Sequence, residues 1–396
     1  MTVIRYTIKE HGRPAWMTLI GQELLACSTV LHPDFHQQQK LRRLMSLVKD
    51  KDLLIKMAIK EGLPCLLYRN LQKSGALDTL GYNQRETLRS LYHQTVLFNL
   101  KLIHDLKEVL YHLNQKKIQV VLMQGIALLQ QVYDDLGLRP LTDIDLWVLQ
   151  KDYPGLIGIL ISQGYQGDPI YPHTFRKGST TFDLHTHILW ADRIRAHRLL
   201  LTKSQEHIYH DAGIIHFQGQ EARCLSQYDQ VLYLSLHALK HNVNRLIWLV
   251  DIKGLLANWK MSDWEALMNR ARELGQEKTI SYIFFLLLHL FDFRPPREVR
   301  QFLERKRPHF LEERVLRERI RGDSLPVWAP LLLFSSGKGL QKRLSIILET
   351  LFPRPEILRQ IFVDSLDLKV WQLYWMRVLQ LFGMFKMSLK GRAVKA

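Results

Sequence analysis

The spacing of apolar residues changes twice along this chain, and that change limits its folds more than any single motif. Up to Leu113 they recur at helical spacing: Leu41, Leu44, Leu47 and Val48, then Leu53, Leu54, Met57 and Ala58. Gly62-Leu63-Pro64 is a stop and restart, and Tyr82 to Leu113 is one long helical stretch without a proline. At Ile118 the pattern shortens. Ile118 to Met123 is β-branched and runs into Gly125, which predicts a strand and then a helix from Ile126 to Tyr133. Leu141 to Val148 and Thr180 to Ile188 alternate and predict two more strands, with a helix over Lys151 to Gly164 between them. From Ser226 the helical period returns, in Tyr228–His241, Leu246–Trp259, Trp264–Leu274 and Thr279–Phe291. The order predicts an α+β fold that is mostly helical. A small mixed-sheet core at 115–195 lies between an N-terminal helical region, 1–114, and a C-terminal helical region, 196–396.

Composition narrows the class. Hydrophobic residues are 47% and charged residues 23%, which excludes a disordered chain, a collagen-like fibre and a small disulfide scaffold. The 55 lysines and arginines against 38 acidic residues give a net charge of +17, which favours anionic partners. The basic residues are spread along the chain, so a solvated basic surface serves as well. Cys27, Cys65 and Cys224 are far apart and form no CxxC, which argues for a reducing compartment and against a cysteine zinc site. Met1 to Tyr6 is not followed by a signal core. No apolar run approaches the ~20 residues of a membrane span. A cytoplasmic protein is the expectation. The C-terminal end, with Leu379, Phe382, Phe385, Lys386, Lys390, Arg392 and Lys395, reads as a docked final helix with a basic tail. Contact of that end with a membrane surface is the weaker alternative.

Asp143 and Asp145 are two apart on the second strand, so they share a face, while Ile144, Leu146 and Val148 point to the other. Paired carboxylates repel and call for a cation, and hard oxygen ligands suit Mg²⁺ or Mn²⁺. Asp183 lies on the third strand with His185 and His187 on the same face. If that strand pairs beside the first carboxylates, three of them converge, a set able to hold two metal ions. Upstream, a glycine at a strand–helix turn allows close backbone approach, and a helix N-terminus offers N–H groups to phosphate. Arg139 is placed to neutralise a phosphate oxygen.

The order strand–Gly–helix–Arg–DxD–strand–Asp resembles the nucleotidyltransferase superfamily with a DNA polymerase β-like core. Within it the chain is most similar to the bacterial family known only as uncharacterised nucleotidyltransferases. The residues that carry the likeness include Val121 to Leu128, Leu138 to Leu146 and Phe182 to His185. Leu236 to His241, Trp248 to Ile252 and Leu351 to Pro355 extend it over most of the chain. The resemblance implies transfer of a nucleoside monophosphate from a nucleoside triphosphate to an acceptor it does not identify: nucleic acid, small molecule or protein. It implies Asp143, Asp145 and Asp183 as catalytic residues and metal ligands, with Asp183 taking the acceptor's proton. Gln124, Gly125, Arg139, Thr142 and His185 become the nucleotide-binding residues. Two positions depart from the family's pattern. Gly125 is followed by Ile126 rather than serine or glycine, and preceded by Gln124 rather than lysine. A degenerate core that binds nucleotide, nucleic acid or an anionic surface is therefore the alternative.

Other readings are weaker. His237 and His241, four apart on a helix, suit a zinc pair by spacing, but a packed polar face is the better reading. His104-Asp105 and His210-Asp211 match the doublet of a metal phosphohydrolase without its partner histidines. Trp147, Tyr165, Tyr171 and Trp190 lie near the site in sequence and are able to stack a base, though core packing is the commoner use. Asp251 is expected to anchor helix packing through His241 or Arg245.

Overall fold

The computed structural model describes residues 15–191, 194–362 and 368–393. Met1 to Tyr6 and Lys395 lie outside the described residues, as do the side chains from Met384 onward. The chain opens with helices α1 (Ala15–Cys27), α2 (Phe35–Leu47), α3 (Lys51–Glu61), α4 (Pro64–Ser74) and α5 (Tyr82–Gln115). Their limits follow local chemistry. Asp34 caps α2 by accepting from the Gln37 backbone N–H, while the Gln37 side chain accepts from the Asp34 N–H. Gly62 ends α3 at φ 75°, and Pro64 opens α4, where its missing N–H costs nothing.

The sheet follows, with β1 (Val120–Met123), helix α6 (Gln124–Gln131), β2 (Ile144–Val148), helix α7 (Tyr153–Ser162), β3 (Gln166–Gly167), β4 (Thr174–Lys177) and β5 (Thr180–His185). After helix α8 (Gln205–Asp211) come β6 (Gly213–Phe217) and β7 (Gln220–Cys224). The seven strands run β3-β4-β5-β2-β1-β7-β6. The sheet is mixed: β2 is parallel to β5 and antiparallel to β1, and β1 is parallel to β7. The fold is thus α+β and mostly helical. The strands β6 and β7 lie in the stretch read from sequence as C-terminal helical region. They are joined by Gln218 and Gly219, both at positive φ (50° and 82°), the backbone of a two-residue hairpin turn.

Alternation gives the sheet two faces with different neighbours. Val120, Leu122, Ile144, Leu146, Val148, Phe182 and Leu184 pack under α5 and α7, against Leu106, Leu110, Leu156 and Leu160. Val121, Met123 and Trp147 face the other way, into the larger core formed with the remaining helices. Asp145 shares that second face.

The remaining helices are α9 (Gln227–Lys240), α10 (Ile247–Leu255), α11 (Met261–Glu273), α12 (Glu277–Phe291), α13 (Arg297–Arg305) and α14 (Phe310–Ile320). They continue with α15 (Ala329–Ser335), α16 (Leu340–Leu351), α17 (Pro355–Ile361) and α18 (Val370–Ala393). Buried ion pairs tie them to the earlier elements. Arg319 of α14 pairs with Glu61 at the end of α3, and the Glu61 carboxylate also accepts from the Leu246 N–H. Asp251 of α10 accepts from the Tyr133 hydroxyl and pairs with Arg139 at 2.8 Å, and its charge also acts on Arg245. No described helix is long and apolar enough to cross a membrane.

Candidate active site

Parallel pairing of β2 and β5 sets Asp145 opposite Asp183 in register. Side chains opposite each other in register share a face, so the two carboxylates are neighbours by construction. His185, two residues beyond Asp183, points the same way. Its Nε2 lies 2.9 Å from Asp145 Oδ1 and 3.9 Å from Asp183 Oδ2. Asp183 is further held by the Thr174 hydroxyl, which donates to its Oδ1 at 3.1 Å. The ligand atoms of Asp145, Asp183 and His185 all lie within 4.8 Å of one another, the one such group of metal-binding residue types among the described residues. His187, expected on the same strand face, lies beyond β5, and its Nδ1 accepts from the Leu189 N–H.

Asp143 precedes β2 rather than lying within it, and it is outside that group of three. Thr142 donates its hydroxyl to Asp143 Oδ1 at 3.0 Å. Burial, then the charge of Asp145, pushes the Asp143 carboxyl up to about 7. Burial also raises Asp145, against the pull of the hydrogen bond and charge of His185 and, more weakly, of Lys240. Negative charge gathered in a buried place is the electrostatic signature of a cation site. The donor set of two carboxylates and one imidazole fits a divalent metal. Its oxygens suit Mg²⁺ and Mn²⁺, and its nitrogen suits Mn²⁺ better than Mg²⁺.

The turn expected to bind phosphate is built differently from the expectation. Gly125 lies in the first turn of α6, and the positive φ, 53°, falls on Gln124 before it. A side-chain carbon on Gly125 would stand 2.4 Å from Leu141 Cδ2 and 2.7 Å from Arg139 Nη1, so the bare glycine makes room for these two residues. Arg139 spends its guanidinium on Asp251 and on the Pro140 carbonyl. Burial opposes its charge, and Asp251 more than offsets that cost. Ile126 is 1% exposed and packs into the core beneath the sheet, so this turn of α6 presents no hydroxyl there.

Helix α9 carries Lys240 and Tyr233, which interact electrostatically with the carboxylates, and so brings near them groups not named as site residues from sequence. Lys240 Nζ lies 3.7 Å from the ring centroid of Trp190, a buried residue at φ 58°. His237, one turn earlier, packs on Trp190 and His241, with ring centroids 5.9 and 4.6 Å away. Its buried Nδ1 has no hydrogen-bond partner among the described residues. Burial, then His241 and Lys240, push His237 well below its ordinary value, so it is neutral. The signal was present in the quoted run Leu236 to His241, where His237 and Lys240 recur at helical spacing. His237 and His241 do not join a metal-binding group among the described residues. Neither do the two His-Asp doublets: Asp105 pairs with Lys101 and Asp211 with Arg270. Trp147 is fully buried against Tyr209, and Tyr165 packs on Phe182, so both are core residues.

A family model described as "Uncharacterised nucleotidyltransferase" matches residues 48–292, which include every strand and both sides of the carboxylate site. No curated protein matches the chain. Among solved structures, an antigenic nucleotidyltransferase-like protein from Paracoccidioides brasiliensis is similar at 14% identity. The match covers 46% of this chain and 88% of that one, with a TM-score of 0.26.

Proposed function

This chain belongs to the family of uncharacterised nucleotidyltransferases, and on that premise we propose that it moves a nucleoside monophosphate from a nucleoside triphosphate to an acceptor. The acceptor oxygen attacks the α-phosphorus, the bond to the β-phosphate oxygen breaks, and pyrophosphate leaves with the electron pair. Asp183 takes the proton released by the acceptor hydroxyl. Asp143, Asp145 and Asp183 would hold Mg²⁺ or Mn²⁺, and His185 orients Asp145. Bound there, the metal would offset the charge of the phosphates and of the carboxylates themselves. Gln124, Gly125 and Thr142 border the triphosphate, and Arg139 acts by holding Gly125 and Asp251 in place. We place the protein with the DNA polymerase β-like enzymes and in the cytoplasm.

The observation that carries this reading is the register of Asp145 against Asp183, with His185 bonded to Asp145 and 3.9 Å from Asp183. A buried carboxylate and a half-buried one set side by side repel, and a bound cation would neutralise them. The test is incubation with each α-labelled nucleoside triphosphate, Mg²⁺, and RNA, protein or small-molecule fractions in turn. Label transfer with pyrophosphate release, lost in Asp145→Asn, is the expected result. No transfer to any fraction argues for the second reading.

That second reading is a degenerate core that binds nucleotide or another anion without turning it over. What favours it is the α6 turn, where Gln124 and buried Ile126 leave neither a cation nor a hydroxyl for the phosphates.

A further inference from the structure

Helix α18 turns an apolar stripe to solvent. Trp371, Trp375, Val378, Leu379 and Phe382 are 66%, 60%, 39%, 55% and 71% exposed. Their spacing of four, three, one and three residues puts all five on one side of a helix. The other side is the docked one. Leu373 is fully buried, the Tyr374 hydroxyl donates to the Pro353 carbonyl at 3.0 Å, and Arg377 donates to the carbonyls of Leu351 and Thr350. The stripe is therefore not the face by which the helix joins the body. Helix α16 also exposes Leu340, Leu344 and Leu348 at four-residue spacing. Single exposed leucines need no explanation, but a stripe with two tryptophans marks a contact surface.

Charge selects the occupant. The 24 residues of α18 include no aspartate or glutamate, and beyond Arg377 on the docked side its sequence adds Lys386, Lys390 and Arg392. Lys342 and Arg343 lie among the exposed leucines of α16. A second copy of this chain would bring one basic helix against another. Nucleic acid would answer the charge and leave the aliphatic side chains wet. An anionic lipid surface answers both, with tryptophan, leucine and phenylalanine at the acyl boundary and basic groups among the headgroups. We infer that the outer face of α18 docks this protein on an anionic membrane surface. The contact is peripheral, since no described helix is suited to cross a bilayer.

The test is flotation of the full chain with vesicles of phosphatidylcholine alone and with phosphatidylglycerol added, beside Trp375→Ser/Leu379→Ser. Both positions are more than half exposed, so the variant keeps its core, which a melting curve verifies. The wild type should float with the anionic vesicles, less as salt rises, with its tryptophan emission shifted to the blue. The variant should bind about tenfold or more weakly. Absence of flotation, or equal flotation of the variant, overturns the proposal. So does a wild-type dimer in solution that the same variant converts to monomer without any binding to vesicles, since the stripe would then be a contact between copies.

Discussion

Asp145 on β2 and Asp183 on β5 stand opposite each other in parallel register, and His185 Nε2 bonds the first of them at 2.9 Å. Neutralising one member should therefore act on metal binding more than on folding. Asp145→Asn is expected to abolish Mn²⁺ binding, so that the free-ion signal in electron paramagnetic resonance, which the wild type diminishes, stays at full intensity, while the melting temperature holds or rises. A variant that binds Mn²⁺ as the wild type does would remove Asp145 from the site.

Asp143 gives a pH test. Its carboxyl titrates near 7 in the folded chain against an ordinary 3.8, so the folded state holds the extra proton between those values. Stability is then lost as pH rises from about 4 to about 7, because folding forces an unfavourable charge above that range. Asp143→Asn should match the wild type at the acid end and exceed it by on the order of 1–3 kcal/mol at pH 8 without metal. Urea melts at both pH values measure this. A difference that does not change with pH would contradict the raised value.

Arg139 and Asp251 are both buried and bonded at 2.8 Å. Arg139→Gln leaves the Asp251 charge without its partner, which should cost about 3–5 kcal/mol. Arg139→Lys cannot reproduce the two-pronged contact and should recover only part. Equilibrium unfolding of Arg139→Gln, Asp251→Asn and the double variant gives their coupling. If Arg139→Gln keeps full stability and loses only nucleotide affinity, Arg139 is a direct phosphate ligand after all.

The charge of Lys240 acts on Asp145, a cationic influence that Gln124 does not supply. Lys240→Met should weaken triphosphate binding by roughly tenfold, the worth of one charge-assisted hydrogen bond, and leave Mn²⁺ binding intact or tighter. Calorimetric titration with triphosphate and with Mn²⁺ alone separates the two. Equal triphosphate affinity in the variant would leave Lys240 as a packing residue on Trp190.

The helices were legible because α2, α3, α5, α9 and α12 each carry an apolar face at helical spacing with a cap or a breaker at an end. The central strands were legible for the same reason at period two: Ile144, Leu146 and Val148 all pack beneath the sheet. The strands β6 and β7 were not, since β6 lies at the sheet edge and is mostly exposed, so Gly213 to Phe217 alternates weakly. Only the Gln218-Gly219 turn signalled the hairpin. Sequence spacing, with the condition that the two strands pair, was enough to bring Asp145, Asp183 and His185 together. It was not enough for Arg139, whose partner lies 112 residues away, or for the Lys240–Trp190 contact across two elements. Such contacts depend on tertiary packing, which local pattern does not encode.

The central claim is a metal-dependent triphosphate site on Asp145 and Asp183. The direct measurement is calorimetric titration of the full chain with each nucleoside triphosphate, in Mg²⁺ and in chelator, beside Asp145→Asn/Asp183→Asn. Binding of at least one triphosphate that needs Mg²⁺ and disappears in the variant is the predicted result. Binding of no triphosphate, or binding that neither chelator nor the variant changes, would contradict it.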